Sequence, residues 1–317
     1  MKLVFFDIEC AGVHKTYAKI CAFGYVVCDE KFNIIEKRDI LINPKGRFEL
    51  TDRKGDKGIV LPYDYAEFKN YPKFNAVYPD IKALLEDKDS IAVGHAVLND
   101  VKYLNLETRR YKLPSFKFSF ADSQMFFMAA KNDFSRQFGL EHIAEDLGVE
   151  FTPHRAADDA YATMKIVEAM CKKYGCDFVA LTAMLGFTAG KIANYVVTPP
   201  QCTGLKRYKQ DKNKQKEERS KKRVKFNNNI TKKRVKKQGK LFGKKFNFSR
   251  RIEDDIAVSI AFVDKIYDLG GSYKQRVEEC NIYVADEGDG TDRTQKAGAA
   301  GKRIITVEQF KELISDD

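Results

Sequence analysis

The sequence predicts an α/β fold with one mixed sheet in its first 175 residues, followed by a second, smaller α/β domain over residues 241–317. Three observations lead to this prediction. Short apolar runs alternate with segments of helical period along the first region. The chain has 317 residues, of which 44% are hydrophobic, so it can bury more than one core. A strongly basic stretch separates the two regions.

The elements of the first region are predicted from period and composition. Apolar or β-branched runs predict strands over 2–7, 20–27, 33–42, 91–94 and 116–121, the second and third of which form a hairpin. Helical spacing predicts helices over 75–85, 97–106, 140–147 and 156–172. Gly148 and Gly175 end the last two helices. Residues 176–199 are predicted as a helical extension, so that this domain covers 1–175.

The second domain is predicted over 241–317 from the same kinds of pattern. Strands are expected at 246–248, 281–285 and 303–306, and helices at 255–269, 292–300 and 307–314.

The charge of the chain is concentrated in one segment. Residues 206–245 hold 19 Lys and Arg against three acids, a net charge of +16, whereas the whole chain carries only +11. Because this segment is poor in apolar residues, 200–240 is predicted to be a flexible linker. Its cations suit the phosphates of nucleic acid, or an acidic protein partner. The candidate nucleic-acid-binding residues are Lys206, Arg207, Lys221, Lys222, Arg223, Lys232, Lys233 and Arg234.

The composition also excludes some classes of protein. No apolar run approaches the roughly 18 residues of a membrane span. Asp7 comes too early for a signal peptide, and seven scattered cysteines form no disulfide framework. We therefore expect a cytoplasmic protein with reduced thiols and no membrane association.

Four acids of the first region suggest a metal site. Asp7 and Glu9 are two residues apart on a strand and so face the same side, as oxygen ligands of a hard cation would. Asp100 shares an apolar helix face with Val97 and Leu104, where an unpaired acid is unusual. Asp159 likewise lies on a largely apolar stripe, while its neighbour Asp158 faces solvent.

His154 precedes that last helix by a distance that lets a loop turn it over the same site. Together, Asp7-Ile8-Glu9, the segment from Gly94-His95 to Asp100, and His154 with Asp159 resemble the three motifs of the DEDDh exonuclease family. The segment 154–163 is similar to the form found in bacterial proofreading domains. The resemblance covers about residues 1–175.

This resemblance implies a ribonuclease-H-like fold and a two-metal mechanism. Asp7, Glu9, Asp100 and Asp159 would hold two Mg²⁺ or Mn²⁺ ions, and His154 would accept the proton of the attacking water. The implied reaction releases nucleoside 5′-monophosphates from a 3′ end. Two departures from the family pattern are Ala96, where relatives often carry Asn, and an aromatic insert near residues 54–74. The insert either stacks on a single strand or seals the core.

The C-terminal pattern resembles a BRCT domain, a module that binds proteins, phosphopeptides or DNA ends. Ser249 and Arg293 match the phosphate-binding positions of such domains, although Arg250 replaces the usual Gly. Gln238, Leu241 and Phe242 resemble a short motif that docks on the sliding clamp. Alternatively, Leu241 and Phe242 are buried where the chain enters the second domain.

The preferred hypothesis is a 3′–5′ exonuclease that digests DNA, with a free single-stranded 3′ end or primer terminus as its substrate, in proofreading or repair. Its partners would include a sliding clamp or DNA polymerase. An RNA-processing exonuclease of the same fold and an inactive adaptor are the alternatives.

Overall fold

A computed structural model describes residues 1–49, 61–150, 155–236 and 238–315. The chain divides into two compact units, Met1–Lys209 and Gln210–Asp317. In the described ranges, no helix combines the length and apolar character that crossing a membrane requires.

A seven-stranded mixed sheet forms the centre of the first unit, in the order β3-β2-β1-β4-β5-β7-β8. Strand β1 pairs antiparallel with β2 and parallel with β4, which gives the mixed character. Strands β6 and β9 form a separate two-stranded sheet. The strands are β1 (Lys2–Val13), β2 (Ala18–Cys28), β3 (Ile34–Leu41), β4 (Ser90–Gly94), β5 (Phe118–Asp122), β6 (Phe187–Thr188), β7 (Gly190–Ala193), β8 (Val196–Thr198) and β9 (Gln201–Cys202).

Helices cover both faces of this sheet. They are α1 (Phe74–Leu85), α2 (Leu98–Arg110), α3 (Ser123–Lys131), α4 (Leu140–Leu147), α5 (Ala156–Tyr174) and α6 (Phe178–Met184). Helix α7 (Thr203–Thr231) follows later in the chain. Val4, Phe6 and Ile8 of β1 point into the core formed with α1 and α2. Leu3 and Phe5 point to the opposite core, which α3 to α6 complete. This alternation is the period of a strand buried on both faces.

Most predicted elements of the first region are confirmed, including the hairpin of β2 and β3 and the glycines that end α4 and α5. The prediction of a helical extension over 176–199 agrees with α6 but is wrong for the residues after it, which form strands. Strands β7 and β8 join the large sheet there, because β7 pairs antiparallel with β5 and β8 pairs antiparallel with β7. The first unit therefore extends well past residue 175. Helix α3 was not predicted; Asp122 begins it by accepting hydrogen bonds from the backbone of Gln124 and Met125.

The second unit has a four-stranded parallel sheet in the order β11-β10-β12-β13. Its strands are β10 (Lys245–Phe248), β11 (Ser272–Tyr273), β12 (Ile282–Ala285) and β13 (Arg303–Thr306). Its other helices are α8 (Arg250–Asp254), α9 (Ile256–Asp268), α10 (Asp292–Ala299) and α11 (Val307–Ile314). The six elements predicted for this region are confirmed within two residues at either end.

The prediction of a flexible linker over 200–240 is wrong for the 29 residues of α7. Lys, Arg, Gln and Glu are good helix formers, so low hydrophobicity alone does not prevent a helix. Phe226 and Ile230, four residues apart, are buried in the core of the second unit together with Leu241. The division between the two units falls inside α7.

Candidate active site

Asp7 and Glu9 lie on β1, just past the end of its pairing with β4. That pairing runs from Lys2 opposite Ser90 to Phe5 opposite Val93. The two acids continue the side-chain row of Leu3 and Phe5, which faces the layer containing α5. The sequence prediction that both carboxylates leave one face of the strand is therefore confirmed.

Asp159 approaches from the first turn of α5 and is 9% exposed. Carboxylate oxygens of Asp7, Glu9 and Asp159 all lie within 4.8 Å of one another, close enough to share one metal ion. Asp158 points elsewhere and forms a 2.6 Å ion pair with Lys37. The assignment of Asp159 as the inward acid and Asp158 as the outward one agrees with these contacts.

A glycine on β2 determines how closely α5 approaches. Gly24 is the cross-strand partner of Asp7. A Cβ atom on Gly24 would lie 2.0 Å from the backbone of Ala156 and Ala157. Only a residue without a side chain lets the start of α5, and with it Asp159, come this near to the strand.

Asp100 lies outside the trio whose oxygens are all within 4.8 Å of one another, but close enough for its charge to raise the pKa of Asp7. It lies in the first turn of α2 and is 7% exposed. The turn after β4 that leads into α2 is tight: a Cβ on Gly94 would lie 2.5 Å from Cγ2 of Val97. The prediction that Asp100 is buried on the apolar face of its helix is confirmed by Val101 and Leu104, which are fully buried beside it.

These carboxyl groups resist ionisation in the absence of a cation. Burial raises the pKa of Asp7 well above its usual range, and the charges of Asp100 and Glu9 raise it further. Burial, followed by the charges of Asp159 and Asp39, raises the pKa of Glu9 to about 8. The pKa of Asp100 is raised by burial and by Glu9. Buried acids this close together are stable as carboxylates only beside positive charge, and hard oxygen donors suit Mg²⁺ or Mn²⁺.

A buried network fixes the turn between β4 and α2. His95 Nε2 donates to the Phe138 carbonyl at 3.0 Å, and Nδ1 lies 3.0 Å from the Ser123 hydroxyl, which therefore donates. Burial lowers the pKa of His95 to about 4, so it is neutral and structural. Asp122 Oδ1 accepts from the Ala96 amide at 3.1 Å. Ala96 itself has φ 48°, the left-handed region in which Asn is favoured over Ala.

A second polar group, which the sequence did not reveal, holds the start of α5. The Tyr63 hydroxyl donates to Asp39 Oδ2 at 2.9 Å and accepts from the Ala156 amide at 3.1 Å. Arg155 lies 3.6 Å from the same Asp39 oxygen. Asp39, on β3, is a cross-strand partner of Gly24 on β2, and Gly24 also pairs with Asp7 on β1. Asp39 and Asp7 therefore lie in the same cross-strand row. Only pairing of β1, β2 and β3 in this register brings these groups together, and no local motif encodes it.

His154 and the aromatic insert near residues 54–74 are the remaining predicted features of the first region. His154 lies outside the described residues, as do residues 54–60 of the aromatic insert. In the rest of the insert, Phe68 and Phe74 are buried and ring contacts join Tyr63, Tyr65 and Tyr71 to Phe68. These contacts favour the interpretation that the insert seals the core.

In the second unit, two predicted sites need correction. Leu241 is fully buried in the core, whereas Phe242 is 59% exposed, so Leu241 cannot serve as an open docking residue for the sliding clamp together with Gln238. Ser249 is fully buried as the N-cap of α8. Arg293 donates to Glu253 at 2.7 Å and has little exposure. Ser249 and Arg293 therefore do not form an open phosphate pocket.

The predicted nucleic-acid-binding residues lie on helix α7 and in the segment that follows it. Lys206, Arg207, Lys221, Lys222 and Arg223 lie on α7. Lys232 to Arg234 follow it, and Lys233 forms an ion pair with Asp264. The helical residues are exposed, so their charges remain accessible to solvent.

Comparisons with known proteins identify a family for the first unit. The RNase_T family model, described as Exonuclease, matches residues 4–167. DNA polymerase III subunit epsilon of Aquifex aeolicus (strain VF5) is 32% identical over 111 residues, which are 33% of this chain and 52% of that protein. The chain thus spans about half the length of this curated relative.

Two solved structures are also similar. One is E. coli exonuclease I in complex with a dA16 oligonucleotide, with 19% identity, a TM-score of 0.44, and coverage of 58% of this chain and 42% of that chain. The other is a 3′-exonuclease described in 3′-end specific recognition of histone mRNA stem-loop, with 14% identity, a TM-score of 0.46, and coverage of 63% and 74%. The family match includes Asp7, Glu9, Asp100 and Asp159 and covers more than half of the sequence: the chain belongs to the exonuclease family.

Proposed function

We propose that this exonuclease is a metal-dependent 3′–5′ enzyme that hydrolyses the terminal phosphodiester of DNA to release nucleoside 5′-monophosphates. The observation that carries the proposal is the convergence of Asp7, Glu9 and Asp159 within 4.8 Å, with Asp100 buried close enough to raise the pKa of Asp7. Burying several carboxylates next to one another is unfavourable unless positive charge is present, so this cluster supports a site for divalent cations.

Asp7, Glu9, Asp100 and Asp159 would hold two Mg²⁺ or Mn²⁺ ions. When bound, such ions activate the attacking water and stabilise negative charge on the leaving oxygen. The fold of the chain holds these four carboxylates in place. Strand β1 fixes Asp7 and Glu9, the tight turn at Gly94 fixes Asp100, and the close approach at Gly24 fixes Asp159.

His154 is proposed to accept the proton of the attacking water. It immediately precedes Arg155, the N-cap of α5. The helix start after it is tied to β3 through Tyr63. An unperturbed histidine pKa near 6.5 suits a general base at neutral pH.

DNA is the proposed substrate because the relative from Aquifex aeolicus is a DNA polymerase subunit. The order of elements in the second unit supports a BRCT-like adaptor, and such a module fits replication proofreading or DNA repair. The protein partners would be a sliding clamp or a DNA polymerase.

The test is a degradation assay with the purified full chain. Single-stranded DNA, a primer–template and RNA of the same length, each labelled at the 5′ end, are incubated with Mg²⁺, with Mn²⁺ and with EDTA. We expect stepwise shortening of DNA from the 3′ end, with a metal requirement. Preference for RNA would overturn the DNA assignment, and inactivity on all three substrates would favour an adaptor.

Adjacent acids provide a matched pair of variants. Asp159→Asn should lower activity by at least about a thousandfold, since it removes a ligand at the reacting centre. Asp158→Asn removes a neighbouring charge that pairs with Lys37 instead and should leave activity nearly unchanged. Equal loss in both variants would contradict the site assignment.

A further inference from the structure

We infer that the groove between α7 and α8 in the second unit binds the phosphodiester backbone of single-stranded nucleic acid without reading its bases. The inference rests on the proposed function for its substrate class, and it assigns that substrate a second contact, on the second unit. The predicted linker thereby becomes a structured binding surface.

The orientation of α7 about its own axis is fixed by apolar contacts in the second unit. Phe226 and Ile230 are buried in its core. The ring of Phe226 meets that of Tyr273 edge-on, with centroids 5.4 Å apart. Because side chains three and four apart share a helix face, the residues one to three turns before Phe226 must continue the same stripe.

That stripe is basic, and it borders a cavity. The cavity has a volume of about 470 Å³. Its lining includes Lys216, Arg219, Lys222 and Arg223 from α7, with Arg250 and Asp254 from α8. All six side chains are exposed or partly exposed. The volume is within the usual range of ligand sites.

The acids that line the groove do not neutralise the cations that α7 contributes to it. Glu253, which also lines the cavity, accepts from Arg250 at 2.8 Å, from Arg293 at 2.7 Å and from Tyr273 at 2.6 Å. Its charge is therefore already compensated by its own neighbours. Within the described part of the chain, no ion pair engages Lys216, Arg219, Lys222 or Arg223, and the other acid in the cavity lining is Asp254.

The arrangement of charge favours an extended polyanion over a single phosphate group. Lys216, Arg219 and Arg223 form a row that rises about 10 Å along the helix. The aromatic side chain in the lining, Phe226, is only 3% exposed and offers no open ring for stacking on a base. Contact would therefore be with the backbone, with strong salt dependence and little preference among bases.

The experiment compares two double charge reversals in the full chain. Arg219→Glu/Arg223→Glu removes two cations of the groove row. Lys214→Glu/Lys225→Glu changes the net charge equally on the opposite face of α7, where both side chains are exposed. Binding of a fluorescent 20-nucleotide oligo(dT) is measured by anisotropy in EDTA, between 50 and 200 mM salt.

We expect the groove variant to bind more weakly and to lose about 1.4 from the slope of log Kd against log salt, since each of the two lost single-strand phosphate contacts contributes about 0.7. The opposite-face variant should keep most of the parental slope, and oligo(dC) should bind as oligo(dT) does. Equal effects of the two double variants, or no effect of either, would overturn the assignment. So would competition by a phosphoserine peptide at concentrations where unlabelled oligo(dT) fails to compete.

Failure of this inference is distinguishable from failure of the proposed function. Binding is measured without divalent metal, so it does not depend on hydrolysis. If the groove variant digests DNA and its binding has the parental salt slope, the binding role of the groove is refuted and the proposed function is retained. A reduced salt slope in a chain that digests no DNA would refute the proposed function and retain the groove.

Discussion

Gly24 lies directly across the sheet from Asp7, and the backbone of α5 begins where a side chain on Gly24 would be. The same cross-strand row contains Asp39 on β3. The acidic site thus depends on a residue that contributes no functional group. The absence of a Cβ lets one helix deliver Asp159 to a strand that carries two other carboxylates.

The first prediction concerns this contact. Gly24→Ala would place a methyl group 2.0 Å from backbone atoms of Ala156 and Ala157, so α5 must shift. We expect a loss of about 3 kcal/mol in unfolding free energy from overpacking. Activity should fall about a hundredfold, because displacing Asp159 by roughly 1 Å misplaces the reacting groups. Chemical denaturation and the DNA degradation assay measure the two effects.

A matched control is Gly290→Ala, where nothing lies within 4 Å of the added methyl group. This variant should retain stability and activity. If Gly24→Ala behaved in the same way, the start of α5 would not be held as closely to β2 as the structure indicates.

The second prediction concerns the Tyr63 hydroxyl. Tyr63→Phe leaves the Ala156 amide and Asp39 without their shared partner, at a cost of about 1–2 kcal/mol for the lost hydrogen bonds. Since Ala156 begins the helix that carries Asp159, we expect kcat to fall more than KM changes. Tyr25→Phe is the control: it loses one hydrogen bond to the exposed Glu36, away from the site. Equal kcat values in the two variants would refute a positioning role for Tyr63.

The third prediction concerns the stability of the metal-free protein as a function of pH. Glu9 has a pKa of about 8 in the folded chain and an ordinary value of 4.5, so the folded state retains a proton that the unfolded state has lost. Stability is therefore highest below the ordinary value and declines as pH rises from about 4.5 to about 8. Asp7 and Asp100, with raised pKa values, act in the same direction. Thermal unfolding in EDTA at several pH values measures this decline.

Added Mg²⁺ or Mn²⁺ should reverse the decline, because metal binding is linked to the loss of these protons and becomes stronger with pH. Asp7→Asn removes one charge from the group. It should make the metal-free protein more stable at pH 8 while reducing the increase in Tm on adding metal. The control Asp158→Asn should retain the parental increase. An equal response to metal in Asp7→Asn and the parent would contradict the proposed metal site.

The fourth prediction concerns Ala96. Its φ of 48° lies in the left-handed region, which costs a residue with a Cβ about 1 kcal/mol and costs Asn less. Ala96→Asn should raise Tm by about 2–4 °C for a unit of this size. The Ala96 amide donates to Asp122 in either case. Ala96→Val should lower Tm, since a β-branched residue is disfavoured there. A lower Tm for the Asn variant would show that the side chain does not fit.

Local patterns were enough to predict the parts of the site that depend on period. The two-residue spacing of Asp7 and Glu9 fixes a common strand face, and helical spacing separates Asp159 from Asp158. The prediction of Asp100 as an inward acid follows from its apolar neighbours Val97 and Leu104. In each case the side-chain direction is decided by a few adjacent residues.

What could not be predicted depends on contacts distant in sequence. Asp39 reaches the site only because β2 and β3 pair in one register, and Tyr63 meets Ala156 across 93 residues. The sequence predicts a linker in place of helix α7 because its two core residues, Phe226 and Ile230, are few among many charged residues. Their burial depends on the second unit and not on local hydrophobicity.

The last prediction separates burial from docking at Leu241 and Phe242. Leu241 is fully buried in the core of the second unit, so Leu241→Ala should cost about 2–5 kcal/mol in unfolding free energy. Phe242 is 59% exposed, and Phe242→Ala should change stability by less than about 0.5 kcal/mol. Denaturation of the full chain measures both. If the pair formed a clamp-docking motif, Phe242→Ala would abolish capture by a sliding clamp at unchanged stability. We expect capture by the clamp to be the same for the parent and the Phe242→Ala variant, because the partner residue Leu241 is enclosed by its own domain.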